Sequence, residues 1–316
     1  MTAWGYTLSS EEHPPGDLVR QAQQAEAAGF DFLTISDHFH PWIDEQGHSP
    51  FVWTVLGAVA QATSRVRIGT GVTCPILRIH PTVVAHAAAT TAVLFEGRFF
   101  LGLGTGEALN EHILGQRWPA VETRLQMLEE AIDLMRELWT GEVVDHHGTH
   151  YEVENARLYD VPDEPIPVIV SAFGAKAGEL AGRSGDGIWM TSPASAALAA
   201  YQDAGGNGPR IGQLTICWAS SEDEAIATAH RVWPNAAIPG QLSQDLPTPT
   251  HFEQASSLVS AQDVAKEIVC GPDPGPVLET IRSYEEGGLD QIHLHQVGPD
   301  QEGFLRFWEE QLAPKL

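Results

Sequence analysis

The chain has 316 residues, of which 43% are hydrophobic, so it can bury a large core and is not a disordered protein. Its formal net charge is −25, which excludes nucleic acid and anionic membranes as partners because its surface repels both. No apolar run reaches the roughly 18 residues of a membrane span, and the first residues lack the pattern of a secretory signal. Three widely spaced cysteines fit the reducing cytoplasm, where we expect the protein to reside.

Short apolar or β-branched runs alternate with amphipathic helical stretches along the whole chain. Strands are predicted at 4–8, 31–36, 66–72, 99–103, 167–171, 187–191, 212–218 and 291–295. The clearest helices between and after them are predicted at 16–28, 51–62, 81–94, 119–139 and 304–312. Repeated strand–helix units predict the α/β class and a (β/α)₈ TIM barrel that spans 1–316 as one domain. The alternative is an open doubly wound sheet, but no Gly-x-Gly-x-x-Gly follows the first strand.

Two segments interrupt this alternation. The segment 142–159 has alternating runs around a turn at 147–149 and is predicted to be an inserted β-hairpin. The segment 234–260 is rich in Pro, Gln, Ser and Thr. It is predicted to be a long loop that acts as a lid over the mouth of the barrel.

Functional side chains of such barrels follow the strands at their carboxyl ends, and three segments there carry reactive or ligand-binding residues. The second strand leads into 36–42, where an acid, two histidines and a tryptophan occur together. The fourth leads into 104–111 and the fifth into 171–176, each with a glycine turn that opens a helix. Free amides at a helix N-terminus attract phosphate, whereas glycines alone simply permit tight turns. The two turns together predict a phosphorylated ligand.

His38 and His40 also have the spacing of metal ligands. His293 and His295 on the last strand support this alternative, a metal-dependent barrel hydrolase. The ends of the fifth and sixth strands offer Ser171, Thr191 and Ser192, which do not complete such a site. We therefore predict no metal.

Five segments resemble a known family, the luciferase-like, deazaflavin-dependent oxidoreductases, and most closely its coenzyme F420-dependent glucose-6-phosphate dehydrogenase group. The resemblance covers most of the chain and is loose only from 194 to 260. The segments are Ser36-Asp37-His38-Phe39 with Pro41-Trp42, Gly47-His48-Ser49-Pro50-Phe51, Gly104-Thr105-Gly106-Glu107-Ala108-Leu109-Asn110-Glu111, Tyr159-Asp160-Val161-Pro162-Asp163 and Ala181-Gly182-Arg183-Ser184-Gly185-Asp186-Gly187.

The resemblance implies a luciferase-like barrel that forms a homodimer and binds coenzyme F420 over its mouth. Asp37 would hydrogen-bond the deazaflavin ring, and Gly71 and Val72 would form a non-prolyl cis peptide behind it. The amides of Phe173 and Gly174 would bind the cofactor phosphate. The other residues implied to line the cofactor are Thr105, Gly106, Asn110 and Thr191. FMN is the alternative cofactor, and the protein would then be a luciferase-like monooxygenase.

The implied reaction is hydride transfer from a carbinol carbon to C5 of the deazaflavin. His38 would take the hydroxyl proton, since imidazole titrates near neutral pH. Trp42 would pack against the reacting centre. Glu107 would supply a proton at the ring nitrogen that gains charge, and Glu11 would lie close by as a second carboxylate.

One departure from the group concerns the substrate. Ala194 stands where the glucose-6-phosphate enzymes carry a lysine for the sugar phosphate, although Lys266 matches a second phosphate-binding lysine. Each missing charge-assisted contact would cost roughly 1.5–3 kcal/mol of phosphate binding. We therefore expect a secondary alcohol, sugar or sugar derivative other than glucose 6-phosphate. A carrier that binds the cofactor without catalysis is disfavoured because His38, Trp42 and Glu107 are all present.

Overall fold

The predicted barrel is the fold that the computed structural model shows, and residues 2–316 are described. The barrel strands run parallel in the order β1-β2-β3-β4-β7-β8-β9-β11, and β11 pairs with β1 to close the sheet. In chain order the strands are β1 (Ala3–Leu8), β2 (Phe32–Ile35), β3 (Arg67–Thr70), β4 (Phe99–Leu103), β5 (Val144–His147), β6 (Glu152–Ala156), β7 (Val168–Ser171), β8 (Gly187–Met190), β9 (Arg210–Cys217), β10 (Val269–Cys270) and β11 (Gln291–Gln296).

Helices surround the barrel and connect its strands. The helices are α1 (Pro15–Ala27), α2 (Val52–Ala62), α3 (Pro81–Phe95), α4 (Ala108–Glu111), α5 (Val121–Leu138), α6 (Ala175–Ser184), α7 (Ser195–Asp203), α8 (Glu222–Val232), α9 (Leu242–Asp245), α10 (Pro249–Ser256), α11 (Ala261–Glu267), α12 (Pro274–Glu286) and α13 (Gln301–Phe307). A π-helical turn, Trp308–Leu312, follows α13. No helix within residues 2–316 combines the length and the apolar character that crossing a bilayer requires.

Aromatic side chains fill the inside of the barrel, and glycines on neighbouring strands make room for them. Phe32, Phe100 and Trp189 belong to one buried interior cluster. A Cβ atom on Gly5 would lie 2.5 Å from the ring of Phe32, and one on Gly69 would lie 2.1 Å from the ring of Phe100. The interior below the mouth is therefore a packed core, and ligands have access only from the end of the strands.

The inserted hairpin is present as the antiparallel pair β5 and β6. Its turn is fixed by Glu130 of α5, whose carboxylate accepts hydrogen bonds from the main-chain N–H groups of Thr149, His150 and Tyr151 at 2.9–3.1 Å. The insertion is thereby attached to the outer helical layer.

The segment 234–260, which we call the strap, corrects one prediction, because it is largely helical and not a long loop. It contains a 3₁₀ turn, Pro234–Ala237, followed by α9 and α10. Pro249 occupies the first turn of α10, and the hydroxyl of Thr248 accepts a hydrogen bond from His251 N at 3.3 Å as its N-cap. Proline and threonine favour these two positions of a helix, so a composition typical of loops here marks a helix start.

A second difference is β10, which the sequence pattern did not predict. It has two residues, and Val269 and Cys270 pair with Ile216 and Cys217 at the end of β9. Two residues are too few to show an alternating pattern, so only the tertiary structure reveals this strand.

Candidate active site

Glu11 and His38 meet at the mouth of the barrel because they follow β1 and β2, which are neighbouring parallel strands. His38 Nε2 lies 3.4 Å from Glu11 Oε1, and the two side chains are only 10% and 4% exposed. The other carboxylate oxygen of Glu11 accepts hydrogen bonds from Ser36 Oγ at 2.6 Å and Ser9 Oγ at 3.2 Å. The pair is therefore buried, close and held in a fixed geometry.

The charge state of Glu11 follows from its neighbours. Burial by itself raises the pKa of this carboxyl group, but His38 and the hydrogen bond from Ser36 oppose it, and the pKa lies below its ordinary value. Glu11 is therefore ionised at neutral pH and stabilises a positive charge on His38.

Asn110 holds the His38 loop in place. Its Oδ1 accepts hydrogen bonds from the main-chain N–H groups of Phe39 at 2.8 Å and His40 at 3.1 Å. Its Nδ2 lies 3.2 Å from His38 Nδ1 and 3.5 Å from Glu107 Oε2. Asn110, which the resemblance implies to line the cofactor, therefore also connects His38, the candidate base, to Glu107, the candidate acid.

Trp42 links the candidate base to the strap. Its ring lies 4.9 Å from that of His38, centroid to centroid, and 5.1 Å from that of Phe252 in α10, which meets it edge-on. Gln46 accepts a hydrogen bond from Trp42 N at 2.8 Å and so fixes the loop that carries the indole. Trp42 is therefore packed between the candidate base and the strap.

Asp37 is buried in a cluster of charges below the mouth. Its Oδ2 accepts a hydrogen bond from Thr73 Oγ1 at 2.8 Å, and its Oδ1 accepts one from Arg78 Nη2 at 2.8 Å. Arg78 Nε also lies 3.5 Å from Glu111 Oε1, and burial raises the pKa of Glu111. Each Asp37 oxygen therefore already has one partner in the protein. Arg78 lies eight residues beyond β3, too far for the strand-end rule to find it.

The main chain packs closely at the ends of β3 and β4. The peptide bond between Gly71 and Val72 is cis. A Cβ atom on Gly104 would lie 2.7 Å from Val72, and one on Gly106 would lie 2.5 Å from Cys74 Sγ. The missing side chains let these two positions pack closely against Val72 and Cys74, next to the half-buried Thr105.

The end of β7 offers an accessible helix N-terminus. Gly174 is the N-cap of α6, and no side chain in the described chain caps that helix. Nothing lies within 4 Å of the position that a Cβ atom of Gly174 would take, and Phe173 is 61% exposed. The free N–H groups at the start of α6 are therefore available to an anion. Thr191 is exposed beyond β8, and its carbonyl accepts a hydrogen bond from Tyr284 at 3.2 Å.

Lys266 is not brought into this cluster by any contact. It lies on α11 with 70% of its side chain exposed, and its Nζ donates a hydrogen bond to Asp263 at 2.7 Å on the same helix. Ala194, the N-cap of α7, offers no charge. Within residues 2–316, no three His, Cys, Asp or Glu side chains are grouped as metal ligands.

The strap is fastened at α9 by two residues that the sequence reasoning missed. Arg124 of α5 is 1% exposed and donates a hydrogen bond to Gln244 Oε1 at 2.9 Å. Its guanidinium stacks 4.2 Å above the ring of Trp118, which donates a hydrogen bond to Asp245 at 3.3 Å. Both contacts join distant parts of the chain, so no local pattern indicates them.

The fold and the site define a (β/α)₈-barrel enzyme with an acid–base pair at the carboxyl end of its strands. The chain belongs to the luciferase-like monooxygenase family, whose profile matches residues 2–291. The family resemblance and the barrel predicted from the sequence are thereby confirmed.

Several relatives carry names that describe their chemistry. The chain is 39% identical over 327 residues to an F420-dependent glucose-6-phosphate dehydrogenase of Segniliparus rotundus, covering 99% of this chain and 97% of that protein. It is 36% identical to the protein of the same name from Mycobacterium tuberculosis, with the same coverage. An F420-dependent secondary alcohol dehydrogenase, solved in complex with an F420-acetone adduct, superposes with a TM-score of 0.91 at 29% identity, covering 98% of this chain and 97% of that one.

Proposed function

We propose that this chain is an F420-dependent dehydrogenase that oxidises an uncharged secondary alcohol, sugar or sugar derivative. The observation that carries the proposal is the buried pair of His38 and Glu11, 3.4 Å apart beside Trp42 at the barrel mouth. Proteins named as F420-dependent dehydrogenases are similar to it over nearly its whole length, in sequence and in structure. The activity is therefore that of an oxidoreductase acting on a CH–OH group.

The residues at the mouth fit the cofactor. Gly104 and Gly106 lie beside Thr105 and next to the cis peptide of Gly71 and Val72, at the mouth where the family resemblance places the deazaflavin ring. The free N–H groups at the start of α6, after Phe173 and Gly174, suit a phosphate. F420, when bound, supplies a deazaflavin ring that accepts a hydride.

The side chains of the site divide the proton chemistry between them. His38 Nδ1 lies 3.1 Å from the carbonyl of His40, which accepts, and 3.2 Å from Asn110 Nδ2, which donates, so either tautomer has a partner at Nδ1. In the tautomer with hydrogen on Nδ1, Nε2 takes the hydroxyl proton of the substrate, and Glu11 stabilises the imidazolium that forms. Glu107, which Asn110 connects to His38, would supply the proton that the cofactor gains on reduction. Trp42 would exclude water from the reacting centre.

The charges at the mouth support an uncharged substrate. Glu11 is an ionised carboxylate inside the pocket, and Lys266 is engaged with Asp263 on its own helix. A phosphate would meet repulsion from Glu11 without a lysine at position 194 to offset it. The superposed secondary alcohol dehydrogenase was solved with an F420-acetone adduct, and acetone is the oxidation product of an uncharged alcohol.

We also propose that the chain forms a homodimer through α2 and α3. Neither helix contains Asp, Glu, Lys or Arg, although the chain has 59 such residues. The exposed side chains of α3 include Val83, Thr90, Val93 and Leu94. Two copies with a net charge of −25 each repel one another. That repulsion is weakest where their surfaces carry no charge, so the face formed by α2 and α3 is the one that suits self-association.

Titration of the pure protein with F420 and with FMN, followed by tryptophan fluorescence, tests the cofactor. We expect saturable binding of F420 and weak binding of FMN, and the reverse would indicate a flavin monooxygenase.

A panel of alcohols, sugars and glucose 6-phosphate is then screened for bleaching of the oxidised deazaflavin absorbance. A higher kcat/KM for glucose 6-phosphate than for every uncharged alcohol would overturn the substrate proposal, and loss of activity with a chelator would indicate a metal enzyme.

A further inference from the structure

His295 lies on β11 at the mouth of the barrel, one layer above His293. Side chains two residues apart on a strand point to the same face, so both histidines point into the barrel. His293 is fully engaged: Thr7 Oγ1 lies 2.7 Å from its Nδ1, and Trp189 donates a hydrogen bond to its Nε2 at 2.7 Å. His295 is 3% exposed and lies nearer the mouth. It is therefore not part of the packed interior network below it.

The contacts of His295 fix which of its nitrogen atoms carries hydrogen. Gln213 Nε2 lies 3.3 Å from His295 Nδ1 and 3.3 Å from Thr215 Oγ1. An amide nitrogen only donates, so Nδ1 accepts and Nε2 carries the hydrogen. That Nε2 is buried, and no atom of the described chain accepts its hydrogen bond. An unsatisfied buried donor is costly, which indicates that a ligand oxygen belongs there.

The neighbours of the His295 ring include groups at the mouth of the barrel. Trp233, immediately before the strap, meets the His295 ring edge-on at 4.7 Å between centroids. Glu11 is close enough to oppose the effect of burial, which lowers the pKa of His295 to about 4. His295 is therefore neutral at pH 7. A neutral donor beside an ionised carboxylate suits a hydroxyl or ether oxygen and disfavours an anion.

We propose that His295 and Gln213 form a second substrate subsite, which binds a neutral oxygen next to the reacting carbinol. This inference rests on the proposed function. His38 engages the oxygen that loses its proton, and we assign the donor on His295 to a further oxygen on the same molecule. The substrate class is then an uncharged diol or polyol, and not a simple alcohol with one oxygen.

A matched pair of substrates tests the subsite, since butan-2-ol and butane-2,3-diol share a carbon skeleton and differ in one oxygen. We expect the wild-type enzyme to prefer the diol at least tenfold in kcat/KM. His295→Phe removes the donor and should reduce that preference at least tenfold, whereas His295→Gln keeps an N–H group and should restore part of it. Equal kcat/KM for both substrates, or a preference that neither variant changes, would overturn the proposal.

A second measurement uses the cofactor-free protein and does not depend on turnover. Binding of butane-2,3-diol should change the fluorescence of Trp233 saturably, and Trp233→Phe should remove that change. Butan-2-ol should bind more weakly by a factor of ten. If no alcohol is oxidised with F420 yet the diol binds selectively, the proposed function fails and the subsite stands. If alcohols are oxidised but the diol shows no selective binding, the subsite fails alone.

Discussion

Arg78 is the cation that compensates the buried carboxylates below the barrel mouth. It is 6% exposed and contacts both Asp37 and Glu111, which are almost completely buried. A buried ion pair contributes little compared with apolar packing, but the removal of one partner leaves the other charges uncompensated. Arg78 therefore determines whether this part of the site can remain folded with Asp37 in place.

Replacing Arg78 by Met should lower the free energy of unfolding by about 3–5 kcal/mol, because two carboxylates lose their buried counter-charge. Urea denaturation measures the change. The exposed Arg183, paired with Glu129 and Glu179 on the surface, provides the control, since Arg183→Met should cost less than about 1 kcal/mol. A loss from Arg78→Met no larger than from this control would contradict the assignment.

His38→Ala should lower the rate of F420-dependent alcohol oxidation by roughly 10²–10⁴-fold, because it removes the imidazole that accepts the hydroxyl proton. Steady-state turnover at saturating F420 measures this effect. Glu11→Gln should also lower the rate, and the double variant should lose less than the sum, since both residues act on one proton. An unchanged rate in His38→Ala, with F420 binding retained, would remove His38 from the mechanism.

At the level of elements, the strap contacts the loop that carries His38. It is attached to the His38 loop through Phe252 and Trp42 on one side, and to α5 through Arg124 and Gln244 on the other. The first contact is apolar and the second is polar. None of the four residues of α9 is buried, whereas α10 buries Phe252, so we expect the strap to open at its α9 end.

Arg124→Met keeps an apolar side chain over Trp118 but removes the donor to Gln244. We expect limited proteolysis within 238–248 to accelerate several-fold and KM for the alcohol to rise, with kcat less affected. Mass spectrometry of the fragments locates the cleavage. Lys176→Met, which removes an exposed ion pair with Glu122, should leave the cleavage rate unchanged. Cleavage at the same rate in both variants would show that α9 is not held by Arg124.

The sequence was sufficient for the elements whose pattern is local. The barrel strands appear within a few residues of their predicted positions because each is an apolar run bounded by turn residues. The helices of the strap were missed because proline and threonine are common in loops. Pro249 and Thr248 instead occupy the first turn and the N-cap position of α10. The site was predicted where residues directly follow strands, as with His38. Arg78 and Gln213 act through contacts between distant segments, which one sequence does not reveal.

At the level of the whole molecule, association is limited by charge. Val83 and Val93 are 56% and 43% exposed on the uncharged face of α3. The double variant Val83→Glu/Val93→Glu should change a dimer into a monomer in light scattering coupled to size exclusion, because it places like charges across the interface. Leu258→Glu adds a charge at an 88% exposed position of the strap and should leave the mass unchanged. A wild-type mass equal to one chain would refute the dimer.

Buried histidines make the fold sensitive to acid. Burial lowers the pKa of His13, His293 and His295 to about 4, 3 and 4, whereas their pKa in the unfolded chain is about 6.5. Between these values the unfolded state binds up to three more protons, so the free energy of unfolding falls as the pH falls. Glu12 acts in the opposite direction, because burial raises its pKa to about 7 and its native form gains a proton first.

The net excess of about two protons in the unfolded state should reduce stability by roughly 2–3 kcal/mol per pH unit between pH 6 and 5. Urea denaturation across that range measures the slope. Glu12→Gln removes the opposing group and should steepen it, whereas His147→Gln in the exposed hairpin should not change it. Acidification also weakens repulsion among the surface carboxylates, which stabilises the fold, but added salt screens that effect and leaves the buried histidines untouched. In high salt the slope should therefore be steeper, and a flat profile there would show that the three histidines are solvated.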